Sequence, residues 1–337
     1  MQKIFLTNLN KDYIERESKM IYDSLIHLYG HIEGELVRIN DGFNNTVYSA
    51  GPFIFRVTPS SRRTQSDIIN ELAFIEGLKE NGVPVSLPLK SVRERLVESI
   101  DDYHFVVAFE KAKGTPIDVT DTNVWNEKLY FHWGNLLGKM HRTGKKRKID
   151  RPIWTVDQPD ILHLFPKITT ETIANKYKQL LNQLVKFPQS PDLFGLIHNQ
   201  GNLFVNEGRL TLFDFDDCAY HWFAYDLAAA FYHAYWQASS FTPENKQFSR
   251  EFWEHFLIGY QQEHTISKEL IQQIPIFLKI REIFLYTLFL EKWDMENLQD
   301  WQNYTLSDLK NNIESGNQYS NVNFREMIDN FGLGKIQ

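Results

Sequence analysis

The sequence lacks the features that stabilise secreted proteins or cross membranes. Its 337 residues include one cysteine, Cys218, which excludes an internal disulfide and a cysteine-based metal cluster. The strongest apolar stretch, residues 283–290, is only eight residues long and predicts a buried helix rather than a membrane span. Residues 1–19 carry charges every few positions and lack the apolar segment of a signal peptide. We therefore expect a cytoplasmic protein that has no membrane partner.

An excess of positive charge is also absent. The formal net charge is -7, so the chain as a whole does not attract a nucleic-acid backbone. The one basic run, residues 145–148, follows a predicted helix and precedes Asp150, which favours a solvated loop over a nucleic-acid patch. Hydrophobic residues make up 42% and charged residues 23%, as in ordinary globular proteins. The length suits two lobes better than one core.

The first third of the chain has the pattern of an antiparallel β-sheet. Residues 35–60 contain three β-rich runs separated by turn residues at 41–45 and 50–52, which predicts a three-stranded meander. A helix is predicted from residue 67 to residue 80, with Ser66 as its N-cap and Asn81-Gly82 as its stop. Further strands are predicted at residues 90–97 and 104–110.

After Lys113-Gly114-Thr115-Pro116 the pattern becomes helical. A compact β-rich stretch at 195–215 interrupts it. The predicted helices lie near 129–140, 168–186, 224 onward, 246–262, 266–292 and 306–313. We therefore expect an α+β fold of two lobes: a small antiparallel β lobe at 1–110, a linker at 111–116 and a larger, mainly helical lobe at 117–337. A ligand is expected in the cleft between the lobes.

Arg56 and Glu71 form the first candidate pair. Arg56 lies late in an apolar strand, and Glu71 lies on the predicted helix beside the apolar stripe formed with Ile68 and Ile75. A carboxylate turned toward a core needs a cation, because an unpaired buried charge is costly. Glu71 could hold the basic group of Arg56 against the phosphates of a nucleotide. The two residues could also form a structural ion pair, or Glu71 could be solvated.

The stretch 196–217 carries the most specific signal. Strands are predicted at 203–205 and 209–213, with a turn at 206–208. Antiparallel pairing brings Asn202 and Asp214, which flank this hairpin, side by side, as two oxygen ligands for Mg2+ on a triphosphate. Asp214, Asp216 and Asp217 repel one another, and a bound cation would relieve that repulsion. The alternative is an acidic loop at the end of a strand.

This stretch resembles the catalytic loop and metal-binding region of the aminoglycoside phosphotransferase, choline kinase and homoserine-kinase-like group, which has a protein-kinase-like fold. The group has a His-x-Asp-x-x-x-x-Asn loop. In this sequence Leu196-Ile197-His198 matches the start of that loop, and Gly201-Asn202 matches its end. The group's metal-binding aspartate is matched by Phe213-Asp214-Phe215. Further matches, in the same order along residues 30–300, are Asn44 to Tyr48, Phe109 to Gly114, Gly134 to His141 and Tyr225 to Ala228.

The resemblance implies a kinase that uses ATP and Mg2+ to phosphorylate a hydroxyl of a small molecule such as an amino alcohol, a sugar or an aminoglycoside. It implies catalytic roles for His198, Asn202 and Asp214, with Asn202 and Asp214 as metal ligands. Asp216 and Asp217 are further catalytic candidates, because they could replace a missing base. The nucleotide would be bound by Asn45, Arg56, Glu71 and backbone groups near Glu110 and Ala112. Asp226 is expected to hydrogen-bond the backbone of the catalytic loop, and His141 to be a packed structural residue.

Two departures from the group's pattern affect this reading. Arg56 stands where lysine is usual, which keeps the charge but changes the reach and the donor geometry. His198 and Asn202 are four positions apart instead of seven, and the missing triplet includes the aspartate that accepts the proton of the acceptor hydroxyl. Asn199 cannot take up that proton near neutral pH, although Asp216 or Asp217 could replace the base. The alternatives are a non-catalytic nucleotide-binding protein and a kinase acting on serine or threonine in proteins.

Overall fold

The computed structural model describes residues 19–30, 32, 34–39, 45–146, 148–156, 170–199 and 201–331. The chain divides into two compact units. The first comprises Met1–Gly77 and Val85–Lys113, and the second comprises Leu78–Pro84 and Gly114–Gln337. Among the described helices, none combines the length and the apolar character that a membrane span requires.

The first unit is built on an antiparallel sheet. Its strands are β1 (Val37–Ile39), β2 (Thr46–Ala50), β3 (Phe53–Pro59), β4 (Pro88–Leu89), β5 (Glu98–Ser99) and β6 (His104–Glu110). They are ordered β1-β2-β3-β6-β4, and β5 also pairs with β6. The predicted meander and the strand at 104–110 are confirmed.

The predicted strand at 90–97 was wrong. Its residues form a turn instead, in which the Ser91 N–H donates to the Arg95 carbonyl at 2.8 Å. Glu94 adopts a positive φ of 59° there. The short strands β4 and β5 lie on either side of this turn. The charged run Arg93-Glu94-Arg95 has no apolar side chain to place on a buried sheet face, so a solvated turn is favoured.

Two helices complete the first unit: α1, described over residues 19–29, and α2 (Gln65–Glu80). Residues of α1 such as Leu25 and Leu28 share a core with Phe55 of the sheet. Helix α2 starts two residues before its predicted start, and the prediction of Ser66 as its cap was wrong. Thr64 takes that role, because the Asp67 N–H donates to the Thr64 hydroxyl at 3.1 Å and the Asp67 carboxylate accepts from the Thr64 N–H at 2.8 Å.

The second unit is mainly helical. Its helices are α3 (Glu127–Gly144), α4 (Glu171–Leu184), α5 (Phe223–Phe241), α6 (Phe248–Gln261), α7 (Lys268–Lys292), α8 (Asp300–Ser315) and α9 (Phe324–Asn330). Its strands form two antiparallel pairs, β7 (Phe194–Ile197) with β10 (Ala219–Trp222) and β8 (Leu203–Asn206) with β9 (Arg209–Leu212). The predicted helices and the hairpin β8–β9 are present. Strand β10 was not predicted, and α8 begins six residues earlier than expected.

Helices α3 and α6 pack at very short range. A Cβ atom added to Gly134 of α3 would lie 1.8 Å from the carbonyl oxygen of Phe256, and one added to Gly259 of α6 would lie 1.9 Å from that of Phe131. The two glycines therefore allow the backbones to touch at their crossing. Around them the buried rings of Trp133, Phe252 and Phe256 pack edge to face or stacked, which adds to the apolar area buried by this crossing.

Candidate active site

The hairpin β8–β9 places Asn202 and Asp214 next to each other. Leu203 pairs with Leu212 at its open end, and the Phe213 N–H donates to the Asn202 carbonyl at 3.1 Å. The side-chain amide nitrogen of Asn202 lies 3.4 Å from Oδ2 of Asp214. Asp214 is exposed and adopts a φ of 62°, a left-handed conformation that costs free energy and recurs at functional sites. The juxtaposition predicted from the sequence is therefore present.

Asp226 holds the chain just before this hairpin. Its Oδ2 accepts from the His198 N–H and its Oδ1 from the Asn199 N–H, both at 3.0 Å. Asp226 lies in the first turn of α5 and is buried. One carboxylate thus fixes two successive peptide groups of the loop, as expected from the sequence.

The charge on Asp226 is stabilised by donors that surround it. Burial alone would raise the pKa of this carboxyl, but the hydrogen bond from His141 and those from the loop hold its pKa below the ordinary value. Burial lowers the pKa of His141, so its ring is neutral at neutral pH. Its Nε2 lies 3.2 Å from Asp226 Oδ2, and its Nδ1 lies 2.9 Å from the Tyr260 hydroxyl. His141 is thus a packed residue that orients Asp226.

His198 ties the loop to the end of the hairpin with both ring nitrogens. The Gly201 N–H donates to Nδ1 at 2.8 Å, so the ring proton is on Nε2, which donates to the Phe213 carbonyl at 2.9 Å. The residue is fully buried, and burial lowers its pKa. The neutral His198 ring holds the Phe213 carbonyl through Nε2. Because Phe213 directly precedes Asp214, this hydrogen bond also positions Asp214.

The shortened segment contains no carboxylate between His198 and Asn202. Asn199 has a φ of 73°, and its side-chain amide donates to the Asp217 carbonyl at 3.0 Å. Of the two carboxylates considered as substitutes for the base, Asp216 is buried and Asp217 is half-buried. Only Asp217 therefore combines proximity to this segment with partial access to solvent.

Arg151 supports the acidic segment and was missed in the sequence. Its Nε donates to the Cys218 carbonyl at 2.9 Å, and Nη2 donates to the Asp216 carbonyl. The side chain is buried, so a positive charge lies against the backbone of the acidic segment. The contacts join residues more than 60 positions apart, and the sequence contains no local signal for such a pairing.

Arg56 and Glu71 of the first unit form a buried bidentate ion pair. Nη1 and Nη2 of Arg56 donate to Oε1 and Oε2 of Glu71, each at 2.7 Å. The side chains are 5% and 1% exposed, which excludes a solvated Glu71. The guanidinium also lies over the ring of Phe109, 5.2 Å from its centroid, where a cation is attracted to the ring. Strand β3 and helix α2 are thus joined by a fixed charge pair.

The remaining candidate residues of the first unit lie at the ends of strands. Asn45 directly precedes β2, and its Oδ1 accepts from Arg62 Nη1 at 3.3 Å. Glu110 ends β6, where its N–H donates to the Leu87 carbonyl at 2.8 Å and its own carbonyl accepts from the Ser86 hydroxyl. Ala112 follows and is half-buried. Within the described residues its N–H has no protein acceptor, so it can donate to a ligand.

The oxygen ligands at Asn202 and Asp214 suit a hard cation such as Mg2+. Rotation of the Asn202 amide would turn its oxygen toward the same point as the Asp214 carboxylate. Throughout the described part of the chain there is no cluster of three or more His, Cys, Asp or Glu side chains that could hold a metal ion. A metal ion at this hairpin would therefore need further oxygen ligands, and phosphate groups or water supply them in nucleotide sites.

The antiparallel sheet with its strand–helix ion pair, and the helical unit with its Asn/Asp hairpin, define a phosphotransferase with a protein-kinase-like fold. Residues 35–265 match the model of the phosphotransferase enzyme family. The chain belongs to this family, and the family recognised from the motifs is confirmed.

Similar proteins support the same assignment. The chain is 28% identical over 289 residues to the amicoumacin kinase of Bacillus subtilis (strain 168), an alignment that covers 82% of this chain and 85% of the relative. It superposes on the amicoumacin kinase hAmiN, solved in complex with AMP-PNP, Ca2+ and Ami, with a TM-score of 0.82 and 27% identity, covering 94% of this chain and 99% of that one. A microcompartment-associated aminopropanol kinase shares the fold, with a TM-score of 0.67, 19% identity and coverage of 87% and 94%.

Proposed function

We propose that this chain transfers the γ-phosphoryl group of ATP, with Mg2+, to a hydroxyl of a small molecule of the amicoumacin or amino-alcohol type. The observation that carries the proposal is the pairing of Asn202 with Asp214 at the end of a hairpin, next to a loop that Asp226 fixes at two peptide groups. The family membership supports the reaction class. The amicoumacin kinases among its relatives support the acceptor class.

The residues that would bind the nucleotide and the metal ion follow from these contacts. Asn202 and Asp214 would hold the metal ion, which neutralises charge on the phosphates. Arg56, fixed by Glu71, supplies a positive charge in the first unit. Asn45, at the start of β2, would donate a hydrogen bond from its side-chain amide to the phosphates. The Glu110 carbonyl and the Ala112 N–H would form hydrogen bonds with the adenine ring. Polar groups that are already held in place before a ligand binds stabilise a charged ligand most strongly.

The transfer itself is a balanced exchange of bonds. The acceptor oxygen forms a bond to the γ-phosphorus while the bond to the ADP oxygen breaks, and the hydroxyl proton leaves to a base or to water. Asp217 is the half-buried carboxylate of the segment, and we propose that it receives this proton less efficiently than an aspartate at the missing loop position would. We also propose that the protein acts in the cytoplasm, where ATP is available and its buried cysteine stays reduced.

A second function is favoured by one observation, the absence of a carboxylate at the shortened loop. Asn199 donates to the Asp217 carbonyl and cannot act as a base. A chain that binds Mg2+ and ATP through Asn202 and Asp214 but transfers phosphate very slowly would be a nucleotide-binding protein. The two functions are distinguished by restoring the missing residues.

The decisive variant inserts Asp and two further residues after Asn199, which recreates His-x-Asp-x-x-x-x-Asn. General-base assistance is worth roughly 10²–10⁴-fold, so we expect phosphorylation of amicoumacin or 1-amino-2-propanol to become at least about a hundredfold faster. The control is the same insertion with Asn in place of Asp, which restores the length without the base and should not restore the rate.

Turnover is measured as phosphorylated acceptor, with ATP hydrolysis as the background. A slow original chain, together with rescue by the Asp insertion alone, identifies the missing base as the cause. Equal rates for the original chain and the Asp insertion would show that a carboxylate already present, with Asp217 as the first candidate, does this work. Absence of phosphorylated acceptor from all three proteins on both acceptors would contradict the proposed acceptor class.

A further inference from the structure

A cavity of about 320 Å³ opens beside Asn202 in the second unit. Four aromatic side chains form much of its wall. Trp125 precedes α3 and Trp133 lies in it, whereas Phe204 lies in β8 and Phe213 follows β9. Small residues of α5, among them Ala234, leave the space open. The described residues that line it include no Asp, Glu, Lys or Arg. The cavity therefore offers mainly apolar surface, with Asn202, His233 and Gln237 as polar side chains among its described lining residues.

His233 is one of the polar residues in this wall, and Arg281 fixes its state. Nη2 of Arg281 lies 3.0 Å from His233 Nε2, and Nη1 donates to the Tyr225 hydroxyl at 3.1 Å. A guanidinium can only donate hydrogen bonds, so His233 Nε2 accepts and its ring proton is on Nδ1. Burial, and next the charge of Arg281, lower the pKa of His233 to about 3. The imidazole is therefore neutral at neutral pH.

The second ring nitrogen is available to a ligand. The hydrogen bond of the His233 ring to the described residues is made by Nε2, and Arg281 Nε, which is buried, has no hydrogen-bond partner among them. Arg281 is itself buried, so its positive charge is only weakly screened here. A ligand cation in the cavity would meet this charge and would lose its hydration, and none of the described lining residues supplies a carboxylate.

We infer that this cavity binds an uncharged, flat apolar part of the acceptor molecule, and that a carbonyl or amide oxygen of that part accepts a hydrogen bond from His233 Nδ1. This inference rests on the proposed function only in naming the ligand as the phosphoryl acceptor. Any cationic group of the acceptor then stays outside the cavity. His233 and Arg281 act as specificity-determining residues, since the arginine sets the tautomer and the histidine makes the contact.

The test uses two probes of nearly the same shape. Benzamide is neutral and has a carbonyl oxygen, whereas benzamidinium is a cation that can only donate. Binding to the full chain is measured by ligand-observed NMR without ATP, and by soaking crystals with each probe. We expect benzamide in the cavity, with its oxygen on His233, and at least tenfold weaker binding of benzamidinium. Equal affinities, or no benzamide in the cavity, would overturn the inference.

Two substitutions at His233 separate the roles of its ring nitrogens. His233→Gln places an oxygen near the position of Nε2, which satisfies Arg281 but removes the donor to the cavity. His233→Asn places its amide near the position of Nδ1 and keeps a donor there. Because one hydrogen bond is worth about 0.5–1.5 kcal/mol, we expect His233→Gln to weaken benzamide binding about three- to tenfold and His233→Asn to weaken it less. The reverse order would contradict the assigned tautomer.

Filling the cavity provides an independent test that spares the polar groups. Ala234→Leu adds a side chain to the cavity wall, whereas Ser239→Leu, on the exposed side of the same helix, is the matched control. Benzamide binding should be lost in the first variant and kept in the second, with thermal unfolding confirming that both fold. Unchanged binding in Ala234→Leu would place the probe elsewhere. None of these measurements needs turnover, so a failure of the proposed phosphotransfer would remain distinguishable from a failure of this inference.

Discussion

Arg56 lies at a strand position where the enzymes that this sequence resembles usually have lysine. Arginine makes two parallel hydrogen bonds to Glu71, a geometry that a lysine ammonium cannot reproduce. Both partners are buried, so each depends on the other for compensation of its charge.

We predict that Arg56→Met destabilises the protein by about 3–5 kcal/mol, because it leaves Glu71 buried without its cation. Arg56→Met combined with Glu71→Leu should cost much less. The measurement is denaturant unfolding followed by circular dichroism. The control is Lys90→Met, which breaks the exposed pair of Lys90 with Glu94 and should change stability by at most about 1 kcal/mol. A similar, small cost for Arg56→Met would contradict the buried pair.

Short sequence separations made part of the site predictable. Arg56 and Glu71 are 15 positions apart, and Asn202 and Asp214 are 12 apart, within a strand–helix step and a hairpin whose patterns are visible in the sequence. Arg151 with Asp216 and His233 with Arg281 are separated by 65 and 48 positions. Their contacts depend on how helices and loops pack, which local periodicity does not encode. These two contacts were found only in the structure.

At the scale of elements, the crossing of α3 and α6 depends on two glycines. We predict that Gly134→Ala destabilises the protein by about 2–3 kcal/mol, since its Cβ would meet the Phe256 carbonyl at 1.8 Å and the helices must separate. Lys128→Ala on the exposed face of α3 should change stability by at most about 0.5 kcal/mol. Equal effects of the two substitutions on the midpoint of urea unfolding would contradict this close packing.

Periodicity predicted helices better than short strands. The long amphipathic segments of the second unit carry many apolar positions, so an error at one residue leaves the pattern recognisable. Strands β4 and β5 have two residues each, too few to show alternation. The predicted strand between them covers residues that form a turn. The start of α2 was misplaced because Ser66 and Thr64 are both good caps and only the reciprocal contact with Asp67 distinguishes them.

At the scale of the whole molecule, the second unit buries several neutral histidines. Burial lowers the pKa of His221 to about 3 and that of His264 to about 4. In the unfolded chain these groups take up protons near pH 6.5. The unfolded state therefore binds more protons below that pH, so the free energy of unfolding falls as the pH drops from about 6.5 toward the folded-state values.

We predict that His221→Asn reduces the slope of unfolding free energy against pH by about 1.4 kcal/mol per pH unit below pH 6. The Asn oxygen can still accept from the Trp222 N–H, as His221 Nδ1 does at 2.8 Å. Stability is measured by denaturant unfolding at pH 4.5, 5.5, 6.5 and 7.5. His132→Gln, at an exposed position, is the control and should leave the slope unchanged. An unchanged slope in His221→Asn would show that this histidine is not held neutral.

We predict that Asp214 binds the metal ion of a nucleotide, whereas Asp226 only fixes the loop. Calorimetric titration of AMP-PNP, with Mg2+ and then with EDTA, compares the original chain with Asp214→Asn and Asp226→Asn. We expect Asp214→Asn to lose at least tenfold in affinity with Mg2+ and nothing in EDTA, because only the metal contact is removed. Asp226→Asn should retain most of its Mg2+ dependence. Equal losses of Mg2+ dependence in the two variants, or nucleotide binding by the original chain that is indifferent to Mg2+, would contradict the account.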